Sequence, residues 1–225
     1  MNEKTKLQKV SLEILEILKK NKLSPSQVRY VFKKARESGD YQLPKVSKRL
    51  PDYLSPAEIY TLLENTTDSF DHLLIEFMLK TGLRISEARN LMIKDIDLQL
   101  KQINVRQGKN SKDRVVNLHH SLINPLRMYY QDRKGYLFVK KDGSRYSIRA
   151  LQYRIKRNLD NLHSEKDLRT HSLRHTFATY LRLQGMPLQD IQAILGHTSI
   201  KTTEIYAKMV HSVDSREKFQ QIMGF

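Results

Sequence analysis

The sequence predicts an α+β fold that is mainly helical and carries one small antiparallel sheet. Over most of the chain, apolar residues recur three and four positions apart, which is the period of an amphipathic helix. One region differs, because the β-branched runs KQINV and RVVNL flank the polar segment RQGKNSKD within 101–118. Two such runs around a short polar segment predict a β-hairpin with a basic turn. Helices packed beside one hairpin give a mixed architecture.

The N-terminal segment, residues 1–50, is predicted to be short, basic and helical. Apolar residues lie on one helical stripe over 5–20, and SPSQ at 24–27 is a capping box with proline at the first helical position. The second helix is expected to stop at Ser38-Gly39. Two prolines and several basic residues mark 40–52 as a linker, so we place a domain boundary there.

The main domain is predicted over 51–211. It opens with a second capping box, SPAE at 55–58, and a helix from about 69 to 80 that Gly82 ends. Ser172 is the expected N-cap of a later helix. Further helices are expected over about 121–132, 147–160, 172–184, 188–195 and 200–210.

Composition limits the class of protein. The chain has 225 residues, 39% of them hydrophobic, which suffices for one core with a small appendage. It has no cysteine, which excludes disulfides and thiolate metal sites. No apolar run approaches the length of about 18 residues that a membrane span needs, and the N-terminus lacks a signal-peptide pattern. We therefore expect a soluble cytoplasmic protein that does not associate with membranes.

Positive charge is concentrated in two segments. The formal net charge is +16, and residues 1–50 hold 13 basic against 5 acidic residues, while residues 101–157 hold 15 against 3. A basic excess confined to segments favours binding to a phosphate backbone. A solubilising surface or a ribosome-associated protein would be the alternative explanation of the same charge.

The segment HSLRHTFATY at 171–180 suggests chemistry at phosphate. His171, Arg174 and His175 lie three and four positions apart, on one face of the predicted helix. Arginine presents a planar fork that matches phosphate oxygens, and histidine exchanges protons near neutral pH. A capped helix start with an ion-pairing surface arginine would show the same spacing, so this segment alone leaves both interpretations open.

Five motifs that follow one another along the chain resemble those of the tyrosine recombinase, or phage integrase, family, especially its Xer-like bacterial members. The resemblance covers about 53–211. The motifs are TGLRISEARNLMIKDID at 81–97, GKNSKDRVVNL at 108–118, HSLRHTFATYL at 171–181, LGH at 195–197 and TTEIYAKM at 202–209.

The resemblance implies a role for each matching residue. Arg84 and Arg174 would hold the scissile phosphate, and Lys109 would protonate the leaving 5′ oxygen. His171 would be the general-base candidate, and Tyr206 would be the nucleophile.

Three further residues complete the implied site. His197 would support the phosphate, and Glu87 matches the family's supporting acidic position. His175 is taken as a second supporting residue, with a satisfied core histidine as the alternative.

The implied activity is site-specific cleavage and rejoining of DNA through a covalent 3′-phosphotyrosine, without metal, ATP or any other cofactor. Fixed guanidinium groups can stabilise the charge that develops on phosphate oxygens, so the reaction requires no metal. Integration or excision of a mobile element and resolution of DNA multimers both fit this activity. The alternative function is a non-catalytic DNA-binding relative or accessory factor.

The expected partners are double-stranded DNA, further copies of the chain in a homotetramer on DNA, and accessory DNA-binding proteins, with a monomer in solution. The N-terminal segment is expected to bind DNA, and it is shorter than the family's core-binding domain. In the tail at 212–225, Phe219, Ile222 and Met223 suggest a protomer-docking helix, unless this tail packs on its own domain. The expected DNA contacts are Lys33, Lys34, Lys45, Lys48, Arg49, Lys112 and Arg114.

Overall fold

The computed structural model describes residues 3–38, 50–106, 113–197 and 199–209. The chain divides into two compact units, residues 1–49 and residues 50–225. The described part of the first unit contains helices α1, Glu3–Lys20, and α2, Pro25–Glu37. The predicted capping box at the start of α2 is confirmed, because the Gln27 N–H donates to Ser24 Oγ and the Ser24 N–H donates to Gln27 Oε1.

The second unit contains most of the helices, and the prediction of a mainly helical α+β fold is confirmed. Residues 204–209 form one further helical segment that carries Tyr206. The named helices are α3 (Pro56–Asn65), α4 (Ser69–Thr81), α5 (Ile85–Asn90), α6 (Ile123–Tyr130), α7 (Ile148–Asp160), α8 (Thr170–Leu183) and α9 (Leu188–Leu195).

Over the described ranges, the sheet has three antiparallel strands in the order β1-β2-β3, which are Ile96–Asp97, Gln102–Val105 and Arg114–Asn117. The two longer strands are the predicted hairpin, and their register pairs Ile103 with Val116. The apolar side of the hairpin faces the core, whereas Val115 is exposed. Strand β1 was not predicted, because two residues are too few to show a period of two. The hairpin turn lies outside the described residues.

Helix α8 starts two residues earlier than the sequence suggested. Its first residue is Thr170, and its N-cap is Arg169. The prediction of Ser172 as the N-cap was therefore wrong, although the serine still serves the helix start, since its Oγ accepts a hydrogen bond from the Arg169 N–H at 3.1 Å. A serine in the first turn satisfies a different unpaired backbone donor, the N–H of the N-cap residue, from the donors that a serine at the cap would satisfy.

Two apolar clusters form the interior of the part of the second unit that the structure describes. The larger includes the fully buried Phe77 and Phe138, whose rings pack edge to face with centroids 5.4 Å apart. The smaller joins α8 to α9 and to the segment after it, and it consists of Ala178, Ile191, Leu195, Tyr206 and Met209. Polar side chains, among them that of Arg174, lie where α8 and α9 meet. Among the described helices, none is both long and apolar enough to cross a membrane.

Gly82 ends α4 and allows α4 to approach α8 closely. Its φ of +61° is left-handed, and a Cβ built on it would lie 2.2 Å from Cδ1 of Phe177. Its carbonyl also accepts a hydrogen bond from Arg174 on α8. A side chain here would meet both backbone strain and a steric clash.

We expect Gly82→Ala to destabilise the second unit far more than Gly185→Ala. Gly185 also has a left-handed φ of +87°, but no atom would lie within 4 Å of an added Cβ. The control should therefore lose only about 1 kcal/mol through backbone strain. Overpacking against Phe177 should add about 2 kcal/mol at Gly82. Urea denaturation of both variants measures the difference, and equal losses would contradict the close packing of α4 on α8.

Candidate active site

Helix α8 carries the most deeply buried cation of the candidate site. The Arg174 side chain is 5% exposed, and its guanidinium donates to the carbonyl oxygens of Gly82 and Leu195, each at 2.7 Å. Burial and the nearby charge of Arg84 lower the pKa of Arg174 to about 10, so it remains charged at neutral pH. Two carbonyl groups from distant parts of the chain thus hold the plane of this guanidinium in place.

Arg84, at the N-cap of α5, is the second predicted phosphate ligand, and the structure places it beside the first. Its Nη1 donates to Glu87 Oε1 at 2.9 Å, and its Nη2 is 3.4 Å from the carbonyl oxygen of Gly196. The side chain is 35% exposed. Arg84 can therefore present donors to a ligand at the surface, while Arg174 lies below it.

Three successive carbonyl groups at the end of α9 each accept from a different arginine. Ile194 accepts from Nε of Arg114 at 2.7 Å, and the next two carbonyls accept from Arg174 and Arg84. The last carbonyls of a helix have no partner within the helix and carry partial negative charge. The end of α9 therefore attracts and orients the three guanidinium groups.

Glu87, which was predicted as the supporting acidic residue, lies among these three arginines. It accepts from Arg114 through both carboxylate oxygens, with each N···O distance 2.9 Å, and from the backbone N–H of Arg84 at 2.7 Å. Burial alone would raise the pKa of Glu87, but these hydrogen bonds and the charges of Arg114 and Arg174 lower it below its usual value. Glu87 is therefore ionised at neutral pH.

His197 directly follows the left-handed Gly196 that ends α9. Its Nδ1 is 3.0 Å from Oγ1 of the buried Thr203. Burial and the charges of the three arginines lower the pKa of His197 to about 4, so the ring is neutral at neutral pH. Sequence reasoning did not single out Thr203, although it lies in the TTEIY motif, because its partner becomes visible only in three dimensions.

Tyr206 lies in the smaller apolar cluster and is only 1% exposed. Its hydroxyl is 3.1 Å from Nδ1 of His175. Burial raises the pKa of Tyr206, and the charges of Arg174 and Arg84 partly oppose this rise. Burial, with the charges of His171 and Arg174, lowers the pKa of His175 to about 4. A neutral imidazole is thus hydrogen-bonded to the phenol.

His171 lies at the exposed edge of the site, one helical turn before His175. The centroids of the two rings are 6.5 Å apart. Loss of surrounding water and the charges of Arg174 and Arg84 lower the pKa of His171. The structure therefore brings Arg84, Glu87, His171, Arg174, His175, His197 and Tyr206 together in one region.

The residues expected to contact DNA lie in different parts of the chain, and only some of them are described. Lys33 and Lys34 are exposed on α2, where each pairs with Glu37 at 3.7 Å and 3.2 Å. Arg114 is instead buried in the site with Glu87, with 8% of its side chain exposed. The predicted catalytic Lys109 and the predicted DNA contacts Lys45, Lys48, Arg49 and Lys112 lie outside the described residues.

Comparison with known proteins agrees with this arrangement. The sequence pattern of the phage integrase family matches residues 52–212, which include every described residue of the site. The chain belongs to the phage integrase family. It is 36% identical to a tyrosine recombinase of Pseudothermotoga lettingae, over 80% of this chain and 62% of that protein. It is also 36% identical to the tyrosine recombinase XerA of Thermococcus kodakarensis, over 80% and 68% of the two chains.

Solved structures of recombinases share the fold. The crystal structure of a XerA recombinase matches 95% of this chain and 82% of its own, with a TM-score of 0.67 and 30% identity. A pre-cleavage complex of the XerH recombinase with its difH substrate matches 74% of this chain and 53% of its own, with a TM-score of 0.60 and 30% identity. The chain spans about 62% of the length of the Pseudothermotoga relative.

The lowered histidine pKa values make stability depend on pH. Histidines of the unfolded chain take up protons near pH 6.5, whereas His175 and His197 in the folded protein stay neutral down to about pH 4. Protonation therefore favours the unfolded state between these values. We expect the free energy of unfolding to decrease as the pH falls from 6.5 to 4.

Urea denaturation at a series of pH values measures this dependence. The double variant His175→Asn/His197→Asn should lose less stability over the same interval than the wild type. His163→Asn is the matched control, because it removes a histidine from an exposed turn whose φ of +47° asparagine tolerates. The same pH dependence in the double variant as in the wild type would contradict the assignment.

Proposed function

We propose that the chain is a site-specific DNA recombinase that cleaves and rejoins DNA strands through Tyr206. The observation that carries the proposal is that Arg84, Arg174 and His197 meet at the end of α9, beside the segment that carries the tyrosine. Relatives named tyrosine recombinases support it, as does the solved structure of a XerH site-specific recombinase bound to its difH substrate.

The two arginines are proposed to hold the phosphodiester. Attack on a phosphodiester increases negative charge on the phosphate oxygens, and donors that are already in place stabilise this charge without reorganising. Arg174 is fixed by two carbonyl groups, while the more exposed Arg84 lies near the surface. Because two guanidinium groups supply the positive charge, the proposed reaction uses no metal ion or other cofactor.

In the proposed cleavage step, Tyr206 Oη forms a bond to phosphorus, and the bond between phosphorus and the 5′ oxygen breaks. The tyrosine proton goes to a histidine, which the family resemblance assigns as His171. Lys109 donates a proton to the departing 5′ oxygen. The product is a 3′-phosphotyrosine and a 5′-hydroxyl strand end. Attack by a 5′ hydroxyl reverses the step and joins strands, so no ATP is consumed.

The described position of Tyr206 is proposed to be a resting one. A phenol with 1% exposure cannot reach a phosphate on a DNA duplex, so residues 204–209 must shift before attack. The hydrogen bond to His175 holds the hydroxyl in the smaller apolar cluster until this shift. His175 thus has a supporting role that precedes the chemistry.

We expect the wild-type protein to form a covalent adduct with nicked DNA and Tyr206→Phe to form none, because the variant lacks the attacking oxygen. The substrate is a nicked duplex that carries the DNA flanking the gene, and denaturing gels detect the adduct. Tyr180→Phe, on α8, is the matched control and should still form it. An adduct in Tyr206→Phe would place the nucleophile elsewhere, and no adduct in the wild type would favour the non-catalytic DNA-binding alternative.

The same gels identify the proton acceptor. His171→Gln should slow adduct formation about a hundredfold if His171 is the general base. His175→Gln should slow it much less, because that histidine is proposed to hold the phenol only at rest. The reverse order of the two variants would assign proton transfer to His175.

We further propose that four copies assemble on DNA and exchange their tails head to tail, which can close a ring. The tail lies outside the described residues. The support for this proposal is the spacing of apolar residues in its sequence. A chain without residues 213–225 should still form the adduct but fail to assemble as a tetramer or complete strand exchange. Sedimentation with DNA and a recombination assay measure both, and normal recombination would refute the role of the tail.

The biological role is proposed to be integration or excision of a mobile element, or resolution of DNA multimers. Relatives named XerA and XerD support assignment to the recombinases, but these names do not separate the two roles. Inverted repeats or attachment-like sequences beside the gene would favour a mobile element. Their absence would favour resolution of multimers.

A further inference from the structure

We propose that Arg114 is a positioning residue for the phosphate-binding arginines, acting through Glu87 and the end of α9. This inference rests on the proposed recombinase function and adds a residue to its machinery. The positive charge of Arg114, taken alone, suggests a contact with the DNA backbone. The observed contacts instead turn its guanidinium toward the interior of the site.

Three nitrogens of the Arg114 guanidinium are already engaged. Nε donates to the carbonyl oxygen of Ile194 at 2.7 Å, and Nη1 and Nη2 donate to the two oxygens of Glu87, each at 2.9 Å. The side chain is 8% exposed, and that of Glu87 is 9% exposed. To reach a DNA phosphate, Arg114 would have to break a buried two-pronged ion pair.

Glu87 is shared among three arginines, and Arg114 holds both of its oxygens. The Arg84 guanidinium donates to one oxygen at 2.9 Å, and Nη1 of Arg174 lies 3.9 Å from the other. With Arg114 absent, the buried carboxylate would draw Arg84 and Arg174 more strongly toward itself. Arg114 thus balances Glu87, so that both phosphate-binding guanidinium groups keep their orientation.

Arg114 also connects separate elements of the catalytic site. It is the first residue of β3, and its backbone pairs with Val105 on β2. Its side chain reaches α5 through Glu87 and the end of α9 through Ile194. In the sequence it follows Lys109 by five positions. Arg114 is therefore placed to hold the base of this hairpin in position relative to Arg84 and Arg174. The same hairpin carries Lys109, the proposed general acid.

A lysine at this position separates positioning from phosphate contact. Arg114→Lys keeps the positive charge, but one ammonium group cannot reproduce the planar fork that joins Ile194 and both oxygens of Glu87. If Arg114 positions the site, adduct formation in Arg114→Lys should slow about a hundredfold, as for a small misplacement of catalytic groups. If Arg114 instead contacts DNA phosphate, this variant should form the adduct nearly as fast as the wild type.

The salt dependence of DNA binding gives an independent readout. Loss of one phosphate contact should lower the slope of log affinity against log salt by about 1. We expect Arg114→Met to keep the wild-type slope while adduct formation slows. A slope lower by about 1 would show a phosphate contact and overturn the inference.

A double variant tests whether Arg114 acts through Glu87. Arg114→Met leaves the buried carboxylate without two of its hydrogen bonds, whereas Arg114→Met/Glu87→Gln removes both charges and should fold more readily. We expect the double variant to form the adduct faster than Arg114→Met, because a neutral glutamine attracts Arg84 and Arg174 less. No recovery in a double variant whose urea midpoint matches the wild type would overturn the inference.

The wild-type protein on the same nicked duplex separates failure of this inference from failure of the proposed function. If the wild type forms no adduct, both the proposed function and the role of Arg114 are refuted. If the wild type forms the adduct and Arg114→Lys is equally active at the same salt concentration, only the proposed role of Arg114 is refuted.

Discussion

The candidate site depends on the carbonyl groups that end α9. Residues 194–196 present three successive oxygens, and Arg114, Arg174 and Arg84 each donate to one of them. A helix end is suited to this, because its last carbonyls lack partners within the helix and carry partial negative charge. The contacts offset part of the cost of burying guanidinium groups. The same backbone then turns at Gly196, so α9 also places the histidine that follows it.

One carboxylate among three guanidinium groups leaves the described site with an excess of positive charge. Glu87 stays ionised because hydrogen bonds from Arg114 and Arg84 outweigh its burial. The same positive charge, added to burial, keeps His175 and His197 neutral. Such a site is poorly balanced alone and would be better balanced by an anion. This physical preference agrees with the proposed phosphodiester substrate.

The phenol and the arginines are held by different contacts and occupy different parts of the site. Tyr206 packs in the smaller apolar cluster, while Arg174 spans from Gly82 to the end of α9. In the proposed reaction, phosphate binding and delivery of the nucleophile are therefore separable events. A shift of the helical segment at 204–209 would then control the proposed cleavage without changing the arginines proposed to bind phosphate. The connection between the two parts is short, since Thr203 contacts His197 and precedes Tyr206 by one helical turn.

The sequence by itself determined the elements that depend on near neighbours. Both proline-containing capping boxes, the stop of α4 at Gly82 and the hairpin follow from residues a few positions apart, and the ordered motifs identified the family. Tertiary structure decided the start of α8, the two-residue strand β1, the contact of His175 with Tyr206 and the burial of Arg114. Arg114 and Ile194 are 80 residues apart, and Arg84 and Gly196 are 112 apart. An arginine shows the same charge in the sequence whether it faces solvent or a buried carboxylate. Only the packing of α5, β3 and α9 against one another decides which partner it meets.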